Sequence, residues 1–285
     1  MVLSDKMAVK EMKSLDVTSF TVALTGVSTL LSLIVSIILV AAISAAVPNS
    51  FGTMVYLLPT IVFLTVICGI FLYFSAAYLY NVLSKRVGTI KFEIENDTIL
   101  KISTKETALI VGFSATIITA VVYLAFSLIL PLILSSFITI LMYAAQEALA
   151  TVAYQAMLLF SNPIYIAVGI VSTLIVTTVF TLLGCYFYNI LGDSERGIKV
   201  KLSEEGEFTI LDSIDTLSFG IAIAAICLIL NIILALIMII SGYDIFTALA
   251  QALGSFVVAF IESIIIAVAY NFLAPKIGKI KAELI

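Results

Sequence analysis

Residues 80–94 read YNVLSKRVGTIKFEI, so a long apolar segment ends here and a shorter segment of alternating residues begins. The opening Tyr-Asn-x-Leu pattern occurs again at residues 188–191 and 270–273, and each copy is followed by a glycine and another alternating segment. Three copies of one pattern with similar following segments are typical of an internal repeat. The sequence therefore predicts three tandem copies of a unit composed of a strand, two helices and a strand.

The alternating segments predict short β-strands. Ile, Phe and Val alternate with Lys and Glu, which is the period-two pattern of a strand with one buried face. Residues 95–97 and 203–206 would turn two hairpins, and pairing of the first and last strands would close the strands into a ring. We predict strands over residues 7–13, 88–94, 99–103, 197–202, 207–213 and 279–285.

The segments between the strands are apolar enough to cross a membrane. Hydrophobic residues make up 62% of the 285 residues, charged residues make up 11%, and the mean hydropathy is +1.25, values typical of an integral membrane protein. A helix needs about 20 apolar residues to cross the hydrocarbon layer. We therefore predict an α-helical polytopic membrane protein with six transmembrane helices, at residues 18–46, 55–82, 106–134, 164–190, 216–241 and 246–272.

All 14 Lys and Arg residues lie in or near the predicted strand segments, and the connections on the other side of the spans contain none. Because cytoplasmic loops retain Lys and Arg, we predict a multi-pass protein of the cell membrane with both termini and the strands in the cytoplasm. The predicted partners are the lipid bilayer and proteins that bind the cytoplasmic strands. The formal net charge of −4 gives no reason to expect a nucleic-acid partner.

The connections on the outer side differ in length. Residues 47–54 and 241–244 form brief turns, whereas residues 135–163 form a 29-residue connection with a polar centre. Its Ala, Leu and Met content, with no Gly or Pro before Pro163, favours an interfacial helix over 136–160 along the outer leaflet. Such a helix either packs over the bundle or acts as a lid over an external opening.

The repeat divides the chain into residues 1–95, 96–203 and 204–285. Each copy contains two spans, so each copy enters and leaves the membrane on the same side. The three copies are therefore expected to be parallel, related by a pseudo-threefold axis along the membrane normal.

The Tyr-Asn-x-Leu exit, followed by a strand of the form Gly-x-Ile-Lys-x-Glu-Leu, resembles a family of small actinobacterial membrane proteins of unknown function. Members of that family have a single unit with two helices, a Tyr-Asn-Leu exit and a closing run similar to Val-Gly-Gly-Ile-Glu-Val-Thr-Leu. This chain differs in having three fused copies, in Thr89 or Lys279 where a second Gly is expected, and in residues 192–196 after the second exit. The resemblance implies the architecture of the unit and no catalytic or binding residue. If the relatives assemble as trimers, this chain is the fused version.

The residue types predict a non-enzymatic protein. The chain contains no His and no Trp, and it has no HExxH or CxxC spacing and no Gly-rich phosphate loop ahead of a Lys. Catalysis at neutral pH usually draws on such groups. Cys68, Cys185 and Cys227 lie inside apolar segments without metal-ligand spacing, and we interpret them as packing residues. We expect no cofactor and no metal.

Glu262 is the residue most indicative of a functional site. It lies eight residues before Tyr270, about 12 Å into the membrane, where an ionisable side chain costs about 2.5–3.5 kcal/mol on insertion scales. Gln251 and Ser255 lie on the same helical face, and Asn231 in the fifth span is the nearest polar partner in sequence terms. These four residues form either an ion or proton site or a set of hydrogen bonds that holds helices together.

The repeated Tyr and Asn residues are expected to have a structural role at the point where each second helix leaves the membrane. Tyr would anchor at the level of the lipid headgroups, and Asn would cap the end of the helix. The residues of this repeat motif are Tyr80, Asn81, Tyr188, Asn189, Tyr270 and Asn271.

Two functions are consistent with these features. The first is a non-enzymatic scaffold or subunit of a membrane complex, whose cytoplasmic strands or lipid-facing surface binds partners. The second is a channel or transporter with a central path along the pseudo-threefold axis and Glu262 near its middle. We favour the first, and Leu72 and Phe180 at the positions equivalent to Glu262 leave no ring of acidic residues.

Overall fold

The structure is a computed structural model that describes residues 8–47, 51–144, 146–194 and 196–285. Residue 7 of the first predicted strand and residues 48–50 of the predicted outer turn lie outside the described part. Each predicted span overlaps one long helix that is apolar enough to cross a membrane, which confirms a helical membrane protein. Within the described residues these are α1 (Val17–Ala46), α3 (Leu57–Val87), α4 (Thr104–Tyr143), α6 (Pro163–Asp193), α7 (Thr216–Ile240) and α8 (Ile245–Ile277), with the shorter α2 (Phe51–Met54) and α5 (Glu147–Ser161).

The strands occur close to their predicted positions. Neighbouring strands pair antiparallel along the chain, and the first strand also pairs with the last. The strands described here therefore form a closed barrel, and the predicted pairing of the first and last strands is confirmed. The strands are β1 (Ala8–Leu15), β2 (Ile90–Glu95), β3 (Thr98–Ile102), β4 (Ile198–Glu205), β5 (Phe208–Ile214) and β6 (Lys281–Leu284).

Tight turns and bulges shape the barrel. Asn96 and Asp97 join β2 to β3 with φ angles of 47° and 59°, as a two-residue hairpin turn requires. Gly206 joins β4 to β5 with a φ of 64°. The register shifts once in each of the β1–β6, β2–β3 and β4–β5 ladders, at Lys13, Leu100 and Asp212. Such bulges increase the local twist, which helps a small sheet to close.

Aspartate side chains begin three of the long helices. Each accepts a hydrogen bond from a backbone N–H in the first helical turn, where the helix itself provides no acceptor. The caps are Asp16 with Ser19 at 2.7 Å, Asp215 with Ser218 at 2.8 Å and Asp244 with Thr247 at 2.8 Å. The first two caps lie directly after β1 and β5, so each strand passes straight into a membrane helix.

The chain divides into two compact units, Met1–Thr107 with Leu182–Ile285 and Ala108–Thr181. The first unit contains the barrel and helices α1, α3, α7 and α8, in which α1 packs against α3 and α8, and α7 packs against α8. Small side chains allow these helices to approach closely in a membrane. Ala23, Ala77, Ala224 and Ala267 are each at most 1% exposed.

The second unit consists of most of α4 and α6 together with α5. Here α4 and α6 meet so closely that a Cβ on Gly112 would lie 2.1 Å from the hydroxyl of Thr178. The rings of Tyr123 and Phe160 connect α4 to α5 with their centroids 5.4 Å apart. A side chain at position 112 would therefore require Thr178 to move.

The predicted interfacial helix over 136–160 is wrong in its extent. Residues 136–143 continue α4 to Tyr143, and the following helix α5 begins only at Glu147. Pro131 lies inside α4 without ending it, since Pro is tolerated in membrane helices. No other residue before the polar Gln146-Glu147 pair interrupts the apolar run, so the helix continues beyond the predicted end of the third span.

Candidate functional site

Three asparagine side chains connect membrane helices to the barrel. Each accepts a hydrogen bond from the backbone N–H of one residue and donates one to the C=O of that same residue, which lies at the end of a strand. Asn81 pairs with Leu15 at 2.8 Å and 2.8 Å, Asn189 pairs with Ile102 at 2.9 Å and 2.9 Å, and Asn271 pairs with Ile214 at 2.9 Å and 2.7 Å. We call these three contacts the clamps.

The tyrosine before each clamp asparagine extends the connection into the barrel. Tyr80, Tyr188 and Tyr270 donate their hydroxyl protons to the backbone C=O groups of Met12, Ile99 and Leu211. Tyr188 and Tyr270 also accept hydrogen bonds from the N–H groups of Ile198, the first residue of β4, at 3.1 Å and of Ile280, directly before β6, at 3.2 Å. Each of these two hydroxyls therefore joins two strands and one helix.

The clamps differ from the predicted role of the Tyr-Asn pairs. The helices continue past the asparagines to Val87, Asp193 and Ile277, so the asparagines do not cap helix ends. A planar amide carries both a donor and an acceptor, which lets it pair with an N–H and a C=O as a neighbouring strand would. The repetition of the motif marks these residues in the sequence, but the residues that the asparagines pair with, and the C=O groups to which the tyrosines donate, lie 57 to 89 positions away.

A serine near each helix start forms a third recurring contact. Its hydroxyl accepts a hydrogen bond from the backbone N–H of a strand lysine. The pairs are Ser19 with Lys281 at 3.1 Å, Ser103 with Lys91 at 3.0 Å and Ser218 with Lys199 at 3.0 Å. The backbone N–H of Asp16, Ser103 or Asp215 also donates to the C=O of the same lysine. The start of each of these helices is therefore joined to a strand, which lies 12 and 19 positions earlier for Ser103 and Ser218 and 262 positions later for Ser19.

Ion pairs cover the outer face of the barrel. The Lys91 ammonium lies 2.7 Å from the Glu11 carboxylate, and this hydrogen bond lowers the pKa of Glu11 and raises that of Lys91. Lys279 lies 2.7 Å from Asp212 and lowers the pKa of that carboxyl group. Further pairs are Lys101 with Asp193 at 2.8 Å and Lys281 with Glu205 at 2.7 Å. This face carries the charge pattern of a surface exposed to water.

The inside of the barrel is apolar and contains a cavity of about 270 Å³. Among the described residues, the lining side chains are apolar except for the hydroxyl of Thr209. The lining is formed by Met12, Leu15, Phe92, Ile94, Ile99, Ile198, Val200, Leu202, Thr209, Leu211, Ile214, Phe219, Ile280, Ala282 and Leu284.

One ion pair lies across the barrel from β1 to β4. Lys10 is in register with Phe92, which lines the cavity, and its ammonium lies 3.8 Å from the carboxylate of Glu204. Glu204 follows Leu202, another lining residue, by two positions. Because alternate residues of a strand share a face, Lys10 and Glu204 lie on the inner face of the barrel. Their ion pair lies at one end of the apolar interior.

The four predicted residues of the ion or proton site are not joined to one another by hydrogen bonds in the described structure. Asn231 donates to the backbone C=O of Cys227 at 2.8 Å, and Ser255 donates to that of Ala252 at 2.7 Å, so both polar groups are used within their own helices. Glu262 and Gln251 are exposed and form no hydrogen bond with any described residue.

Other polar features lie on the outside of the barrel. A groove of about 460 Å³ lies between the β2–β3 turn and the start of α7, with Asn96, Asp97, Lys199, Lys201 and Asp215 in its lining. The described residues contain no group of three or more His, Cys, Asp and Glu side chains that could hold a metal ion. All three cysteines are free.

Comparison with protein families, with curated proteins and with solved structures found no match for this chain.

Proposed function

We propose that the protein is a non-enzymatic membrane scaffold, in which six spanning helices anchor a barrel that binds protein partners at the cytoplasmic face. The observation that carries the proposal is the barrel itself, which is charged outside, apolar inside and clamped to three of the membrane helices. A closed barrel has no free strand edge for pairing. Its outer charges are therefore the features available to orient and select a partner.

The proposal includes three fused copies of one unit around a pseudo-threefold axis, in line with the resemblance to the single-unit family. The recurring contacts support it. Ser103 of the second copy contacts Lys91 of the first, and Ser218 of the third contacts the strand of the second. Ser19 of the first copy contacts Lys281 of the third. The same contact thus joins each copy to the one before it and returns to the start, as a closed ring of equivalent units requires.

We place the barrel on the cytoplasmic side because basic residues concentrate around it. Two glycines provide a matched test: Gly206 in the β4–β5 turn and Gly242 between α7 and α8. Neither has an atom within 4 Å of an added Cβ, and both have positive φ, so a cysteine introduces backbone strain in each variant. An impermeant thiol reagent applied to whole cells should modify Gly242→Cys and leave Gly206→Cys unmodified until the membrane is opened. Modification of both variants from the same side would contradict the orientation.

The alternative of an axial channel has less support. A path along the barrel would pass an apolar lining that offers one hydroxyl, and desolvating an ion there is costly. The test is ion and proton flux into proteoliposomes, compared between wild type, Glu262→Gln and empty vesicles. The scaffold proposal expects the three samples to be indistinguishable. A flux that requires protein and is lost in Glu262→Gln would overturn the proposal in favour of the channel.

Partner binding is tested on the outer face of the barrel. Lys199 and Lys201 line the polar groove, and neither forms an ion pair among the described residues. A double change to Glu reverses the charge there, and Lys13→Glu changes an exposed lysine of β1 in the same way. The proposal expects a cross-linked partner identified with wild type to be retained by Lys13→Glu and lost from the groove variant. If the partner is recovered equally with all three proteins, the groove is not its binding site. If no partner is cross-linked to the wild type, the scaffold proposal is contradicted.

A further inference from the structure

The geometry points to a role for the barrel interior that is separate from partner binding: it binds an uncharged hydrocarbon, either a free molecule or the acyl chain of a lipid. The cavity of about 270 Å³ has a lining that is apolar except for Thr209. A charged or strongly polar ligand would lose its hydration there without gaining hydrogen bonds. The lining therefore selects by hydrophobicity and size.

The volume of the cavity favours occupation over an empty space. An engineered, enclosed apolar cavity of about 150 Å³ in another protein excludes water and binds benzene or xenon. The apolar space inside the barrel is partly open rather than enclosed and is larger, at about 270 Å³. Its walls are held open by the closed strand ladder and by the tyrosine hydroxyls that join strands to helices. If the walls moved together to fill the cavity, these hydrogen bonds would break. The lining side chains therefore do not contact one another across the cavity, and a bound ligand can supply the missing contacts.

Two seams of the barrel are short and offer routes into the cavity. The strands β5 and β6 pair in register at Thr209–Ala282 and Ile210–Lys281, and β3 and β4 pair only at Thr98–Lys199 and Ile99–Ile198, whereas β4 and β5 pair over the whole length of their hairpin. A short ladder opens at lower free energy than a long one. Ala282 lies at the β5–β6 seam and lines the cavity, so a larger side chain at this position would fill the space that a ligand enters.

The experiment uses the full chain in lipid nanodiscs with a small uncharged diazirine that reacts on illumination. We expect the probe to modify the inward-facing Ile94 and Leu202 and to leave their outward-facing neighbours in the same strands unmodified. Ala282→Phe should lower this modification by about fivefold or more, because the added ring occupies the cavity. Val9→Phe adds the same ring to a β1 side chain that is 58% exposed and should leave the modification unchanged.

Two controls complete the test. Ala282→Leu provides a smaller filling side chain if Ala282→Phe fails to fold, and circular dichroism with gel filtration reports folding of each variant. Native mass spectrometry then separates the two sources, since a retained phospholipid mass indicates an acyl chain and a smaller retained mass indicates a free hydrocarbon. Equal modification of inward and outward residues, or modification that the folded filling variants do not reduce, would overturn the inference. Neither result depends on whether a protein partner binds the outer face.

Discussion

The clamp at Asn271 should contribute measurably to stability, and Asn271→Ala tests this directly. The change removes the hydrogen bond from the Ile214 N–H at 2.9 Å and the one to its C=O at 2.7 Å. Each hydrogen bond contributes about 1 kcal/mol net, and a buried polar group left without a partner adds a further penalty of about 1–3 kcal/mol. Because the site is only partly buried and water can reach it, we expect a total loss of about 2–4 kcal/mol.

The measurement is equilibrium unfolding in mixed micelles of mild and denaturing detergent, followed by circular dichroism. Asn231→Ala is the matched control, because the Asn231 amide donates only to the Cys227 C=O of its own helix. Hydrogen bonds between side chains in a membrane bundle average about 0.6 kcal/mol, so we expect a loss of at most about 1 kcal/mol for this variant.

The other two clamps should respond in the same way in this unfolding assay. Asn81→Ala removes an equivalent pair of hydrogen bonds and should destabilise the protein to a similar extent as Asn271→Ala. Asn189→Ala removes such a pair and also a hydrogen bond to the Thr104 hydroxyl at 3.2 Å, so it should destabilise the protein at least as much. If Asn271→Ala costs no more than the Asn231→Ala control, the two hydrogen bonds do not hold the barrel to the helix and the reasoning fails.

Three further predictions use the same unfolding assay. Gly192→Ala should destabilise strongly, since its Cβ would lie 1.7 Å from a backbone oxygen of β3, whereas Gly254→Ala meets no atom within 4 Å and should be neutral or stabilising by up to about 1 kcal/mol. Tyr270→Phe should cost about 1–3 kcal/mol, because it leaves two strand groups without their shared hydroxyl. Lys279 lowers the pKa of Asp212. The pair therefore makes its full contribution to stability above the ordinary Asp pKa and loses that contribution as the pH falls through the lowered value. An Asp212→Asn variant should show a smaller loss of stability in acid than the wild type.

The strands were predictable because their two faces meet different environments. The predicted segment 197–202 corresponds to β4 at Ile198–Glu205, and the segment 99–103 corresponds to β3 at Thr98–Ile102. Alternate residues must be apolar to fill the barrel and charged to meet water, so the pattern appears directly in the sequence. The pairing of β1 with β6 also followed from the sequence, since two hairpins leave these two strands over, although β1 also pairs with β2 and β6 with β5.

The contacts of the recurring residues were not predictable from the sequence. The Tyr-Asn-x-Leu repetition identifies Asn271, but its partner Ile214 lies 57 positions earlier. An amide at the end of an apolar helix fits a cap or a headgroup contact equally well. Which contact forms depends on where the tertiary fold places the end of the strand.

The intramembrane polar residues illustrate a second limit. Counting residues along α8 gives the depth of Glu262, but its direction depends on which side of the helix packs against neighbours. The adjacent Ser263 is 4% exposed, whereas Glu262 is exposed. One step along a helix turns a side chain by about 100°, so the sequence gives the depth of an ionisable group with more certainty than its surroundings.

Barrel closure has a consequence for biosynthesis. The hydroxyl of Ser14 in β1 donates to Glu283 in β6, 269 positions later in the chain. During translation, β1 therefore leaves the ribosome long before the strand that completes its ladder has been made. Until then one edge and the apolar inner wall of the nascent sheet stay open to aggregation, and all the intervening helices are made while this edge is unpaired.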